Sequence, residues 1–374
     1  MTTTPAAPPT APQPDLAPYD AVLLLSFGGP TGPDDVMPFL RRVTAGRGVP
    51  DERLALVAEH YRARGGTSPI SAENARLRDD LQAELRRRGH ELPVLRADRH
   101  TAPLVVDALR EAHVLGAHRV VTVVTSAYPS YSGCRQYRED LATGWAAARD
   151  EGIVVEVDKL APYAALPAFR AAQARLLGEA LAELADLPDE QVAVLFVTHS
   201  IPLTMDELSG PGEGPGHAYT SAHLRVAEDV LDRVTAATGR SPAGELVFCS
   251  RSGPPSQEWL EPDVNAAIRA AAEAGARAVV VAPIGFLSDH MEVVNDLDTE
   301  AAATAAEVGL RFVRVPTAGR TPELVAGLVD LLEARAAEAR GIPDAVLLDL
   351  PSDCAAGCCP NLREAKPALC GSDR

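Results

Sequence analysis

The chain has 374 residues, a length that usually divides into two domains sharing a cleft. Hydrophobic residues make up 46% of it, which is ample for real cores, and the formal net charge is -17. A surface this acidic repels nucleic acids and anionic membranes unless a strong basic patch intervenes, and the sequence contains no such patch. We see no apolar run of transmembrane length and no secretory signal, and we expect a cytoplasmic protein without stable membrane insertion.

The predicted elements begin after a stretch rich in Pro, Ala and Thr, residues 1–18, which we expect to be a disordered leader. The run AVLLLS that follows is apolar throughout, as in a parallel strand buried on both faces. Amphipathic helical stretches separate it from seven further strand-like runs, at residues 92–97, 118–125, 153–157, 191–198, 245–250, 277–284 and 311–315. In the first long helical stretch, Ser71 is a candidate N-cap and Gly89 a stop.

Alternation of strands and helices predicts parallel sheets with right-handed crossovers. Four strands precede residue 160 and four follow residue 190, so we predict an α/β fold of two Rossmann-like, doubly wound lobes. Each lobe would hold a four-stranded parallel sheet, and the lobes would face each other across a cleft lined by loops at the strands' carboxyl ends. The predicted segments are an N-terminal lobe (19–165), a C-terminal lobe (166–345) and a Cys-rich tail (346–374).

Two polar clusters follow the predicted strands of the second lobe. His199 in THSIP ends the fifth strand, and imidazole is suited to moving protons near neutral pH. Glu292, Asp296 and Glu300 are four residues apart in a run after the seventh strand, so an α-helix would place them on one face. Like charges at this spacing repel one another, so we expect a cationic partner near them. The loops lack the glycine fingerprints of nucleotide sites and the hydrolase elbow, which disfavours a Rossmann dehydrogenase and a hydrolase.

The tail contains four cysteines, Cys354, Cys358, Cys359 and Cys370, in a segment with little helical or strand character. Clustered thiols in a reducing compartment indicate metal ligands, for an iron-sulfur centre or a structural zinc. The tail could supply all four ligands, or three with Cys134 completing the set from the core.

Four motifs, RGGTSPIS, THSIP, SRSGPP and PIGFLSDHMEVVND, occur in this order in a chain that resembles the ferrochelatase family over residues 20–345. These enzymes insert ferrous iron into a porphyrin held between two lobes. The resemblance implies that His199 and Glu292 are the catalytic residues and also bind the metal, pointing at each other across a gap wide enough for the porphyrin. It also implies that Asp296 and Glu300 continue an acidic path for incoming Fe²⁺, with His100 near that path.

The sequence is similar to the bacterial branch of this family, which metallates coproporphyrin III. That similarity implies coproporphyrin III and Fe²⁺ as substrates, with propionate contacts at Tyr61, Ser68 and Tyr137 and a charge partner at Arg47. Phe27 stands where this branch commonly has a Tyr that approaches the metal, which leaves two-sided coordination of iron in doubt. Protoporphyrin IX ferrochelatase, a sirohydrochlorin chelatase for cobalt or nickel, and a non-catalytic tetrapyrrole or iron carrier are the alternatives, and we expect a monomer.

Some members of the family bind a 2Fe-2S cluster through one Cys of a tyrosine-serine loop and three of the tail. The resemblance implies Cys134, Cys354, Cys358 and Cys359 as ligands of such a cluster here. Because Cys358 and Cys359 are adjacent, Cys370 is a substitute for one of them.

Overall fold

The computed structural model describes residues 15–46, 48–211, 216–253, 256–342, 347–348 and 352–372. Its strands are β1 (Ala21–Ser26), β2 (Val94–Asp98), β3 (Arg119–Val124), β4 (Glu156–Lys159), β5 (Val192–His199), β6 (Ala243–Cys249), β7 (Ala278–Ala282) and β8 (Arg311–Arg314). Its α-helices are α1 (Val36–Val43), α2 (Asp51–Arg62), α3 (Ile70–Arg87), α4 (Val105–Val114), α5 (Gln136–Asp150), α6 (Pro167–Ala182), α7 (Leu203–Glu207), α8 (Ala218–Thr238), α9 (Val264–Glu273), α10 (Met291–Val293), α11 (Ala302–Glu307) and α12 (Pro322–Ala339). Short 3-10 turns cover Pro33–Asp35 and Asp189–Gln191, and π-helical segments cover Tyr131–Arg135 and Val294–Ala301.

The strands form two four-stranded sheets, in the orders β2-β1-β3-β4 and β6-β5-β7-β8, and every neighbouring pair is parallel. Counted from the first strand of each lobe, the two orders are the same, which is the duplication expected from the spacing of the apolar runs. The predicted α/β fold with two doubly wound sheets is therefore confirmed.

Burial on both faces explains why the inner strands could be recognised in the sequence. Every residue of β1 and of β7 is buried, since helices cover both faces of each sheet. The predicted position of the edge strand β4, residues 153–157, is wrong, because the strand is Glu156–Lys159. The apolar residues Ile153 and Val155 precede the strand and pack in the core of the first lobe. An apolar run indicates buried residues, and here the buried residues lie in the segment that precedes the strand.

The predicted start of the first long helix is wrong by two positions, whereas its end is confirmed. Helix α3 begins at Ile70, directly after Pro69, so Ser71 lies inside the first turn. Gly89 has φ +86°, a left-handed conformation that favours glycine and stops the helix.

The last helix ties the two lobes together. Helix α12 packs on both α6 and α3, and Arg88 at the end of α3 pairs with Asp330 at 2.6 Å and with Glu333 at 3.2 Å. Helix α12, which belongs to the predicted second lobe, thus also packs against the first lobe.

The described chain starts earlier than the predicted leader allows. Leu16 is only 1% exposed in the main core, and Arg340 donates a hydrogen bond to the carbonyl of Asp15 at 2.6 Å. The predicted disorder is therefore wrong for residues 15–18, and residues 1–14 lie outside the described residues. None of the helices in the described ranges is both long enough and apolar enough to cross a bilayer.

Candidate active site

The carboxyl ends of β5 and β7 bring the two central side chains together. His199 is the last residue of β5, and the loop after β7 leads into α10, which carries Glu292. β5 and β7 are neighbours in the sheet, and the connections that follow them run in opposite directions. α/β folds bind ligands in the crevice at such a position. Gly285 permits the approach, because a Cβ there would lie 2.1 Å from Oγ1 of Thr198.

His199 has a defined tautomer in this arrangement. Its Nδ1 lies 2.5 Å from the carbonyl oxygen of Ser200, an acceptor, so Nδ1 carries the proton and donates it. In the neutral ring Nε2 is then free to accept a proton, and it lies 3.6 Å from Oε2 of Glu292. Desolvation is the largest single influence and lowers the pKa of His199, but the Glu292 carboxylate, together with the Ser200 carbonyl and Asp296, leaves the pKa above its ordinary value.

The expected distance between these two groups is wrong. A porphyrin was predicted to lie between His199 and Glu292, whereas at 3.6 Å no macrocycle fits between them. Both residues belong to the second lobe and form one wall of the site. Their side chains are 33% and 55% exposed, so the pair is open to a ligand lying against it.

A buried network holds the backbone of His199. The hydroxyl of Tyr219 donates to the His199 carbonyl at 2.8 Å and lies 2.7 Å from Oγ1 of Thr198. His223 contacts the carbonyl of Tyr219 through Nδ1 at 2.8 Å and stacks on Tyr128 with ring centroids 3.5 Å apart. None of these supporting residues was predicted, because their spacing along α8 and the loop after β3 reads as ordinary core.

His290 is a further group that the predictions did not assign to the site. Burial lowers its pKa, and its charge state is coupled to those of Glu292 and His199. Its ring lies against Phe286, with centroids 5.1 Å apart. The sequence feature that could have indicated a site role for His290 is its position two residues before Glu292 in SDHME.

The acidic run after Glu292 is a π-helix, so the predicted α-helix is wrong there. Glu292 and Glu300 nevertheless lie close enough to Asp296 to act on it electrostatically. Burial raises the pKa of Asp296, and Glu292 and Glu300 raise it further as neighbouring negative charges. Asn295 donates to Glu300 at 2.8 Å and to Asp296 at 3.2 Å, which links the inner and outer parts of the path.

Ser250 helps to position the middle carboxylate. It follows β6 with φ +62°, a left-handed conformation that is strained for a residue other than glycine. This turn directs its hydroxyl at Asp296, to which it donates a short hydrogen bond. The neighbouring Asp298 belongs to a different cluster, since Arg314 pairs with it at 2.7 Å and with Asp289 at 2.5 Å.

The first lobe contributes an aromatic cluster to the site. Tyr61 packs with Met291, the neighbour of Glu292, in one apolar group that Phe27 joins from the side. The pKa of Tyr61 is raised by burial and by the nearby Glu292 carboxylate. His100 lies edge-on to Phe27, with ring centroids 4.8 Å apart, so the structure places this predicted metal-path residue among aromatic rings.

The other predicted propionate contacts lie deeper in the first lobe. Ser68 is 7% exposed beneath Gly29, whose added Cβ would lie 2.7 Å from the Ser68 Cβ. Tyr137 is 4% exposed, and the Arg99 guanidinium lies 4.6 Å from the centre of its ring. Arg47 lies outside the described residues.

An open groove of about 460 Å³ lies between α2 and the π-helix, beside the outer end of the acidic path. Arg64 crosses it with a hydrogen bond to Thr299 at 2.5 Å. Its lining is mixed in charge and comes from both lobes: Glu59, His60, Ala63, Arg64, Asn295 and Thr299. Solvent therefore reaches Asn295 and Thr299, the sequence neighbours of Asp296 and Glu300.

A second cluster, far from His199 in sequence, is formed by cysteines of the tail and of the segment before α5. Cys134 and Cys354 have Sγ atoms 4.0 Å apart, and Cys358 and Cys359 have Sγ atoms 3.9 Å apart. The Cys359 sulfur accepts a hydrogen bond from the Gly210 amide at 3.2 Å. All of these thiols are free.

These cysteines do not form a finished metal site as they stand. Within the described ranges, no three side chains of His, Cys, Asp or Glu converge closely enough to hold a metal ion. Cys370 donates its thiol hydrogen to the carbonyl of Val157 at 3.4 Å, away from the two sulfur pairs. Cys249 is 2% exposed at the end of β6, in the core of the second lobe.

Two parallel sheets with an imidazole and a carboxylate at one crevice, and further carboxylates leading out to solvent, define a two-lobed α/β protein equipped to exchange protons and to handle a metal cation. The sequence profile of the ferrochelatase family matches residues 19–336, and the chain belongs to this family.

Relatives with a common name match nearly the whole chain. The coproporphyrin III ferrochelatase of Streptomyces griseus subsp. griseus is 49% identical over 370 residues, covering 96% of this chain and 98% of its own. That of Streptomyces coelicolor is 46% identical over 367 residues with the same coverage. The structure of SirB from Bacillus subtilis with Fe³⁺ is similar in fold, with a TM-score of 0.50 at 12% identity, covering 86% of this chain and 97% of that one.

Proposed function

We propose that the protein inserts Fe²⁺ into coproporphyrin III, releasing the two pyrrole protons that the metal replaces. The observation that carries this proposal is the His199–Glu292 pair at the crevice of the second sheet. Family membership and relatives at 46–49% identity that are named coproporphyrin III ferrochelatase support the reaction and the substrate.

His199 would take the pyrrole protons. Its Nδ1 donates to Ser200, so Nε2 is the atom that accepts, and a pKa somewhat above the ordinary value keeps it able to accept and release protons near neutral pH. Glu292 lies 3.6 Å away, where its negative charge would stabilise the imidazolium that forms. The partly exposed imidazolium would then release its proton to solvent before the second transfer. Each metallation thus uses the same base twice.

The carboxylates would guide iron to the ring. Fe²⁺ binds carboxylates and imidazoles well, and a series of oxygen ligands lets the ion exchange its waters stepwise. Glu292 and Glu300 both act electrostatically on Asp296, and Glu300 is exposed to solvent. An incoming Fe²⁺ would offset the repulsion between these negative charges. The iron would thus be the cationic partner that the sequence pattern lacks.

The porphyrin would lie against the His199–Glu292 wall, with the aromatic cluster of the first lobe on the other side. Tyr61 adjoins Glu292 and is placed to touch the macrocycle. Ser68, Tyr137 and Arg47 remain predicted propionate contacts. Phe27 has no ligating atom, so this protein would coordinate iron from the His199 side alone.

The deciding experiment compares Fe²⁺ insertion into coproporphyrin III and protoporphyrin IX at equal concentrations under anaerobic conditions, followed by the loss of porphyrin fluorescence. Faster metallation of coproporphyrin III supports the proposal. Faster metallation of protoporphyrin IX would favour the other ferrochelatase reaction, and tight binding of either porphyrin without metallation would identify a carrier.

We also propose that the cysteine cluster binds a 2Fe-2S centre through Cys134, Cys354, Cys358 and Cys359. Tetrahedral metal ions with thiolate bonds of about 2.3 Å separate their sulfurs by roughly 3.8 Å, close to the spacing within each sulfur pair here. The Gly210 amide donates to Cys359, an interaction typical of cluster thiolates. When bound, the cluster would supply a redox-active cross-link between the tail and the first lobe.

Iron and sulfide content, together with visible absorbance after anaerobic purification, test the cluster. We expect a coloured protein that loses its colour in Cys354→Ser and keeps it in the control Cys249→Ser, because Cys249 lies in the core of the second lobe. A colourless wild-type protein prepared with ample iron would contradict this proposal.

The predicted segments also stay proposals: lobes at 19–165 and 166–345 and a tail at 346–374. The start of α6 at Pro167 supports the first boundary. A cytoplasmic, monomeric protein is likewise our expectation, to be checked by cell fractionation and by size-exclusion chromatography with light scattering.

A further inference from the structure

Helix α3 carries a polar side chain on the face that packs in the core. Its buried residues are Ile70, Asn74, Leu77, Leu81 and Leu85, which recur at the spacing of one helix face. Asn74 is the polar member of this set and is 0% exposed. A buried carboxamide is costly unless hydrogen bonds replace its contacts with water, so the presence of Asn74 is explained by its partners rather than by packing.

The partners of Asn74 belong to different lobes. Its Nδ2 donates a short hydrogen bond to Oγ of Ser26, the last residue of β1 in the first lobe. Its Oδ1 accepts a hydrogen bond at 3.1 Å from the hydroxyl of Ser288, in the loop between β7 and α10 of the second lobe. Both serines are buried. A carboxamide presents a donor and an acceptor on one rigid group, so one side chain joins the two hydroxyls across the lobe boundary. We call the chain Ser26–Asn74–Ser288 the interlobe link.

The two ends of the interlobe link adjoin opposite walls of the site. Ser26 directly precedes Phe27 of the aromatic cluster, and its Oγ also lies 3.4 Å from the amide nitrogen of Gly28. Ser288 lies four residues before Glu292. The interlobe link therefore joins the aromatic wall of the first lobe to the wall that carries the imidazole and the carboxylate.

Other contacts hold the earlier part of the loop after β7. The Tyr128 hydroxyl, from the first lobe, donates to the Ile284 carbonyl at 3.1 Å. The Gly319 amide donates to the Leu287 carbonyl at 2.8 Å. Of the three loop residues held in these ways, Ser288 is the nearest to α10 along the chain. Loss of its hydrogen bond would therefore free the part of the loop that leads directly into α10.

We propose that the interlobe link sets the separation of the two walls and so prepares the cleft for the porphyrin, an inference that rests on the proposed function. Its three residues are positioning residues, which act through Phe27 and Glu292. With the link formed, the free protein already holds the two walls at one separation, so binding requires less ordering. Without the link the walls take up several separations, and the apparent affinity falls with the fraction of molecules that have the competent one.

The test is an equilibrium titration of the full-length protein with coproporphyrin III, followed by porphyrin fluorescence. Ser288→Ala and Ser26→Ala each remove one of the two hydrogen bonds of the link, and we expect each to raise the Kd about two- to tenfold. The double variant should bind no more weakly than the weaker single variant, because either substitution already breaks the link.

Thr304→Val is the matched control. The Thr304 hydroxyl also donates to an asparagine oxygen, Oδ1 of Asn265 at 2.7 Å, but both residues lie in the second lobe, on α11 and α9. This variant should lose stability in urea unfolding and keep the wild-type Kd for coproporphyrin III. A raised Kd in the control would show that any lost buried hydrogen bond weakens binding, and would overturn the inference.

Two further results would overturn the inference: a wild-type Kd in either folded serine variant, or a double variant in which the two effects multiply, as they do for independent sites. Each serine variant decides by itself, so one that folds is enough. Metallation by the wild type tests the proposed function separately. A wild-type protein that binds coproporphyrin III without metallating it contradicts the proposed reaction, while the titration still decides the role of the link; one that does not bind this porphyrin contradicts both.

Discussion

Replacing Glu292 with Gln should lower the pKa of His199. The carboxylate oxygen lies 3.6 Å from Nε2, and it is the main influence raising that pKa against desolvation. With side chains 33% and 55% exposed, solvent screens the pair, so its interaction is on the order of 0.7 kcal/mol, as for other partly exposed pairs. That energy corresponds to a factor of about three in the equilibrium between the protonated and the neutral imidazole.

The shift can be read from the acidic limb of the pH dependence of kcat/KM for coproporphyrin III metallation, since this limb reports the base of the free enzyme. Glu292→Gln should move the limb to lower pH, whatever happens to the maximal rate. Glu300→Gln, farther out on the path, is the control and should leave the limb in place. A limb that stays fixed in Glu292→Gln, or moves to higher pH, would refute the proposed coupling.

Three further predictions concern the supporting structure. Burial lowers the pKa of His223 from 6.5 to about 3, so the unfolded chain takes up a proton first and the free energy of unfolding falls as the pH drops below 6.5. In His223→Phe this fall should be less steep, by up to about 1.4 kcal/mol per pH unit, as urea unfolding between pH 6 and pH 4 would measure. Ser250→Ala removes the hydroxyl bound to Asp296 and should raise the KM for Fe²⁺ several-fold while leaving porphyrin binding unchanged, as iron titrations would measure. Gly285→Ala would press a methyl group against Thr198 and should cost at least about 1–3 kcal/mol in thermal or urea unfolding.

The fold could be predicted because its strands are buried on both faces. Runs such as β1 and β7 are apolar without interruption, and their regular alternation with helices leaves few topologies. Edge positions were harder: β4 carries Glu156, Asp158 and Lys159, so its pattern reads as polar, and its pairing with β3 depends on tertiary context.

The site was predicted less completely. His199 and Glu292 could be found from their place at strand ends, but their separation of 3.6 Å depends on strand order, which places β5 beside β7 and is not visible in local sequence. The π-helix escaped prediction because its hydrogen-bond pattern leaves no simple trace in spacing. Tyr219 was missed for another reason, since its role depends on a single hydroxyl contact inside the core.

In the proposed reaction the His199 imidazole is the base that removes the pyrrole protons. Its most direct test is single-turnover insertion of Fe²⁺ into bound coproporphyrin III by His199→Ala, with porphyrin affinity measured in parallel. We predict a rate at least about 100-fold below wild type with porphyrin binding retained. If the variant metallates the bound porphyrin at nearly the wild-type rate, His199 is not the base.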